Sequence, residues 1–228
     1  MIYKRWKNLS IIVQGFILLF TLIITGYHCY YWSRPYSENI YFFNRVYHYF
    51  WIQLPYIVFA ALFIQRHAAF EIARKGLYHF YLKNIMILLK LAVLYPLLPV
   101  IPCLVWNYEQ PPALIIGIYL DCLANLLLLN GLILWIGKII KSTFLGNSLL
   151  VIAILSIQLI FRASSPSLDQ FINWLHPEVI ANFSQLLSAC LLNIGLSLVF
   201  LAFFAFTCMR SDYIDSTISP LASSVVVE

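Results

Sequence analysis

The feature that most constrains this chain is a set of six long apolar stretches: Ile11 to Trp32, Tyr47 to Ile64, Asn84 to Trp106, Ala113 to Ile139, Phe144 to Phe161 and Leu186 to Cys208. About 20 apolar residues cross the ~30 Å hydrocarbon core of a bilayer as a helix. Backbone groups in lipid must find their partners within the segment, and the period-two alternation of a barrel strand is absent, so each stretch is expected to be a helix. With 62% hydrophobic and 10% charged residues, the 228-residue chain has the composition of neither a soluble enzyme nor a disordered tail. Six crossings use nearly all of its length, which predicts one all-α transmembrane domain over residues 1–228. The second span is the weakest of the six. His48, Gln53 and Pro55 lie in or near its outer half, which predicts that neighbours shield it from lipid.

Charge orients the bundle. Placing the N-terminus in the cytoplasm leaves Lys4, Arg5, Lys7, Arg66, Arg74, Lys75, Lys83, Lys90, Lys138, Lys141 and Arg210 inside, and only Arg34, Arg45 and Arg162 outside. That is the positive-inside pattern, and losing any of the first five spans would invert the later loops and spoil it. Both termini are therefore expected to be cytoplasmic. Ile11 to Trp32 reads as a signal anchor, being too long for a signal-peptide core and lacking a small-residue cleavage site.

The basic residues form no stripe, which argues against nucleic acid. The five cysteines, Cys29, Cys103, Cys122, Cys190 and Cys208, form no CxxC pair and have no histidine at metal-ligand spacing, so they read as packing residues. No HExxH, GxSG, paired-glutamate or aspartate-rich set is present, and an enzyme is not expected. The five histidines fall near the two interfaces, where they read as structural or solvated. Twelve of the 38 aromatic residues lie between Tyr27 and Trp51, which fits an interfacial belt or an aromatic outer vestibule.

Four features offer chemistry. In the cytoplasmic connection Gln65 to Lys83, Glu71 precedes Lys75 by four residues, and Phe70, Ile72, Ala73 and Leu77 fall mainly on the opposite side, which predicts a short amphipathic helix stopped at Gly76. It serves either as a basic interfacial loop or as a docking surface for a partner. Asp121 is the one acid within a span, about 13 Å below Pro112. Asn125 shares its face, and Asn193 in span six is a candidate partner. An ionisable group at that depth is a functional hypothesis by default, and a hydrogen-bonded helix contact is the plainer reading. In span three, Pro96, Pro99 and Pro102 each remove a backbone donor, which predicts a kinked or partly unwound outer half facing protein or a cavity. Outside, residues 162–185 carry an apolar patch at Phe171, Ile172, Trp174 and Leu175 ahead of His176 and Pro177, with Asp169 as a possible cap, fitting two short helical pieces broken at Pro177 or an interfacial loop anchored by Trp174.

Taken together, six spans with both termini inside, a cytoplasmic helix of the Phe-Glu-x-x-x-Lys-Gly kind (Phe70, Glu71, Lys75, Gly76), Lys90 a turn or two into span three and a long outer connection before span six resemble a type-2 ABC transporter permease subunit. The family's frequent small-residue or proline-containing stretch after the glycine is replaced here by Leu77, Tyr78, His79, Phe80 and Tyr81. The resemblance implies an exporter in a cell membrane, a bacterial plasma membrane by expectation, moving an amphipathic peptide, lipid or drug. It implies that Phe70, Glu71, Arg74, Lys75 and Gly76 meet a cytoplasmic ATPase, and that Phe171, Trp174 and His176, on re-entrant outer helices, roof the pathway. The chain has eight glycines and no Gly-x-x-x-x-Gly-Lys-Ser/Thr loop, so ATP and Mg are expected on that separate ATPase and no cofactor on this chain. The same resemblance implies pairing with a second copy or a sister permease. Two alternatives remain: a proton-coupled secondary transporter using Asp121, though no internal repeat is evident, and a non-transporting accessory or immunity protein.

Overall fold

Ser10 opens the first helix by accepting a hydrogen bond from the Val13 backbone N–H at 3.4 Å, and helix α1 then runs over Ile11–Trp32. The computed structural model describes residues 10–33, 48–64, 77–106, 112–139 and 183–222, together with residue 153. Among these, all regular structure is helical. The second apolar stretch begins as a wide π-helical turn, His48–Gln53, and continues as α2, Leu54–Phe63. Pro55, at the start of α2, has no N–H to give the Trp51 carbonyl, so a regular α ladder does not run through this point.

The third stretch is two helices, α3 (Leu77–Leu94) and α4 (Leu97–Trp106), separated at Tyr95 and Pro96. Pro96 lacks the N–H that would close on Ala92, and the chain re-forms its ladder through Leu98 N–H to the Tyr95 carbonyl at 3.0 Å and Val100 N–H to the Pro96 carbonyl at 3.2 Å. Pro96, Pro99 and Pro102 are all buried, as expected of a broken helix facing protein. Helix α3 begins at Leu77, so the last seven residues of the stretch Gln65 to Lys83, expected to connect spans two and three, are helical and continuous with the third span. Their mixed Tyr, His and Lys composition lowers hydropathy without breaking the helix.

Helix α5 covers Pro112–Ile139, and α6 covers Phe183–Ala222. The apolar part of α6 is Leu186–Met209, so the helix continues some 20 Å beyond it at 1.5 Å per residue. Among the described residues, four helical segments are long and apolar enough to cross a membrane: Ile11–Trp32, Tyr78–Trp106, Ile115–Ile139 and Leu186–Met209. The shorter Phe50–Phe63 reaches only about 21 Å. It compensates by burial, since Ile52, Gln53, Tyr56, Ile57, Phe59, Ala60 and Phe63 are all enclosed. The predicted span at Phe144 to Phe161 lies outside the described residues, apart from residue 153.

Contacts fix the directions. Phe20 meets Phe59 at 5.6 Å and Tyr27 stacks on Trp51 at 3.5 Å, so α1 runs antiparallel to the second stretch. Tyr119 donates to the Val93 carbonyl, Asn130 to the Leu88 carbonyl and Lys138 to the Tyr81 hydroxyl, so α3 runs antiparallel to α5. The pairing of α5 with α6 is different. Gly117 faces Leu186, Ala124 packs with Leu186 and Cys190, Gly131 faces Ser197 and Phe200, and Trp135 lies 5.5 Å from the rings of Phe200 and Phe203. Residue numbers rise together along the seam, so these two helices are parallel.

Small residues make that seam. Gly117, Ala124 and Gly131 recur every seven residues on one face of α5, and Leu186, Cys190, Asn193, Ser197, Phe200 and Phe204 alternate by four and three on α6. A Cβ on Gly131 would stand 3.0 Å from both the Ser197 carbonyl oxygen and the Phe200 Cβ, and one on Gly117 2.9 Å from a Leu186 methyl. Glycine lets the backbones approach this closely, the usual basis of helix packing where lipid supplies no hydrophobic drive.

Candidate polar sites within the membrane helices

Among the described residues, two hydrogen-bonded groups of polar side chains flank α5, one on each side. The first is at the α5–α6 seam. Asp121 and Asn193 are wholly buried and Asn125 nearly so. Helical spacing places Asn125 one turn from Asp121, where its Nδ2 donates to the Asp121 backbone carbonyl at 2.9 Å and to Asp121 Oδ1 at 3.2 Å. Cys190, across the seam, packs with Ala124, one turn along α5 from Asp121. Asn193 belongs to the same row of α6, one turn before Ser197, whose hydroxyl donates to the Leu127 carbonyl at 2.7 Å. The structure thus brings Asp121, Asn125 and Asn193 to one interface, and Asn125 supports Asp121 from within its own helix.

The second group joins α2, α3 and α5. Tyr56 Oη donates to Asn130 Oδ1 at 2.7 Å and lies 3.2 Å from the Leu88 carbonyl oxygen, to which Asn130 Nδ2 also donates at 3.2 Å. All three residues are at most 5% exposed. The Tyr95 ring stands edge-on to Tyr56 at 5.3 Å, with Phe59 5.8 Å away on its other flank. Above the break, the Tyr119 hydroxyl takes the Val93 carbonyl at 3.1 Å, a group that the end of α3 leaves exposed. Pro96 follows Tyr95 directly and so adjoins this second group.

At the C-terminal end of α5, Lys138 donates to Tyr81, lies 4.9 Å above its ring, and sits in the last turn, where the helix dipole favours a cation. The Tyr81 ring in turn meets Phe204 edge-on at 5.4 Å, tying α3, α5 and α6 together. His28 is fully buried and so is not solvated. Cys103, Cys122, Cys190 and Cys208 are buried free thiols, as packing residues would be. Among the described residues, no group of three His, Cys, Asp or Glu side chains is placed to hold a metal ion.

The interfacial helix residues Phe70, Glu71, Arg74, Lys75 and Gly76 lie outside the described residues, as do Phe171, Trp174 and His176 of the outer connection. Tyr56, Tyr95, Asn130 and Ser197 are functional or structural polar positions that sequence reading did not single out. Asn130 carried a visible signal, an amide in the middle of an apolar run. Tyr56 and Tyr95 carried none, because hydropathy counts tyrosine with the aromatics that fill cores.

No family model, no curated protein and no solved structure matches this chain.

Proposed function

We propose that the chain is the membrane-spanning permease subunit of an ATP-driven exporter, moving an amphipathic peptide, lipid or drug and energised by a separate cytoplasmic ATPase. The observation that carries this reading is the parallel seating of α5 and α6. Two parallel membrane-crossing helices need an odd number of crossings between them. Within residues 140–182, Phe144 to Phe161 is the stretch with the length and hydrophobicity to supply one. Together with the alternating directions of the earlier helices, this favours six spans with both termini on one side. The charge bias makes that side cytoplasmic.

In this arrangement the Phe70 to Gly76 segment faces the cytoplasm, where Phe70, Glu71, Arg74 and Lys75 receive the push of the ATPase. The residue 162–185 connection, with Phe171, Trp174 and His176, lies at the outer surface over the exit. Functional permeases of this kind contain two membrane subunits, so a second copy or a sister permease completes the unit in a bacterial plasma membrane. Affinity purification of the tagged chain in mild detergent tests the reading. A P-loop ATPase recovered in roughly equal amount is the expected result, lost in Glu71→Arg with membrane insertion unchanged. An intact, monodisperse chain without an ATPase would contradict it.

A specific observation favours a second reading. Asp121 is a fully buried carboxyl in a membrane helix, held by an amide on its own helix. In a proton-coupled transporter, Asp121→Asn would abolish the pH dependence of substrate flux in proteoliposomes. Unchanged flux and unchanged thermal stability in that variant would leave Asp121 as a helix contact. A chain with neither ATPase nor flux would be an accessory or immunity protein.

A further inference from the structure

The break between α3 and α4 contains more hydrogen-bonding capacity than the protein uses. Tyr95 is 6% exposed and Gln53 5% exposed, yet Tyr95 Oη and Gln53 Oε1 have no hydrogen-bond partner among the described residues. The two belong to one locality. Gln53 lies one helical turn before Tyr56, and the Tyr56 ring is 5.3 Å from that of Tyr95. A third acceptor, deprived of its usual helical donor, comes from the backbone. Pro96 has no N–H, so the carbonyl of Ala92, a residue with no exposure at all, loses its helical donor. Meanwhile the Tyr56–Asn130 bond occupies the Tyr56 hydroxyl proton, and Asn130 spends its amide on Leu88.

These groups have a definite chemistry. Gln53 Oε1 and the Ala92 carbonyl only accept, and Tyr95 Oη both donates and accepts. Gln53 Oε1 and the Ala92 carbonyl need a donor, and the Tyr95 hydroxyl is satisfied by a group that donates and can also accept its proton. Gln53, Tyr56, Tyr95 and Asn130 are all neutral, so a cation among them would have no compensating charge and would be poorly held inside a bilayer. Buried polar groups are almost always satisfied, by protein, water or ligand. We propose that the α3–α4 break is a binding site within the membrane for one neutral hydrogen-bond donor, either a water or the hydroxyl or amide of a bound molecule. The site depends on these helices crossing a membrane and is independent of the energy source, so it stands or falls separately from ATPase coupling.

Hydroxyl-radical footprinting of the purified full-length chain, read by mass spectrometry and combined with native mass spectrometry, tests it. A bound water generates radicals in place, so Tyr95 is expected to oxidise well above the equally buried Phe204. If the donor belongs to a retained molecule, Tyr95 is protected, and a co-purifying mass appears that Gln53→Leu releases. Protection of Tyr95 with no retained mass overturns the proposal. Thermal melting supplies an independent sign. A Tyr95 hydroxyl bonded to a donor makes Tyr95→Phe melt lower, by about 2–4 °C for a loss near 1 kcal/mol in a chain of this length. A truly orphaned hydroxyl makes the same variant melt higher, and that result also overturns the proposal.

Discussion

The two faces of α5 solve the same problem by opposite means. Toward α6, Gly117, Ala124 and Gly131 bring two backbones together until no further atom fits between Gly131 and Ser197. Toward α2 and α3, the packing depends on Tyr56, Asn130 and a carbonyl of a proline-broken helix. The first face gains its strength from shape, and a rigid parallel pair results. The second is held by a few directional bonds across a point where the backbone ladder is already interrupted.

Substitutions along the two faces sharpen that contrast. The largest effect is expected from Gly131→Leu, which drives a side chain into the Ser197 backbone and the Phe200 Cβ. Overpacking of this kind costs about 1–3 kcal/mol or more, and here the neighbour is backbone and has nowhere to move. Loss of the monodisperse peak in size-exclusion chromatography is the readout, and a well-behaved variant would show that the seam is looser than described. Asn130→Leu comes next. It removes two bonds and leaves the Tyr56 hydroxyl with only the Leu88 carbonyl, for a loss of about 1–2 kcal/mol measured by thermal melting. Melting of the double variant with Tyr56→Phe should then fall little further, because the two residues act as one unit. Ser197→Ala removes the single bond to the Leu127 carbonyl, worth about 0.6 kcal/mol, and keeps the small volume the seam requires. Smallest is Gly195→Ala on the open side of α6, where an added Cβ meets nothing within 4 Å. It is expected to be neutral or stabilising by up to about 1 kcal/mol, through helix propensity alone.

Much of this architecture was readable from the residues, and the parts that were not have physical reasons. The bounds of α1 coincide with its apolar run because Ser10 caps one end and the aromatic cluster marks the other. The break in the third span was legible because proline acts locally, through a missing N–H. The helical start of α3 lies ahead of its apolar run because Tyr78, His79 and Lys83 lower hydropathy without breaking a helix. Asp121, Asn125 and Asn193 were legible as a group, since helical spacing links the first two and depth suggests the third. The Tyr56–Asn130 bond was not, because it spans 74 residues and depends on which face of α2 turns inward. The parallel pairing of α5 and α6 was hidden as well. Glycine and alanine at a seven-residue spacing say that a helix can approach closely, but not which helix or in which direction.

That pairing is the central claim, because the number and direction of membrane crossings follow from it. Its most direct test is the sidedness of the chain just after α5 and shortly before α6. In a background lacking the five native cysteines, single cysteines replace Ser142 and Ser167, and intact right-side-out cells or vesicles are treated with a membrane-impermeant maleimide. Parallel helices predict labelling of Ser167→Cys without permeabilisation and of Ser142→Cys only after it. Labelling of both from the same side would make α5 and α6 antiparallel in the membrane and contradict the account.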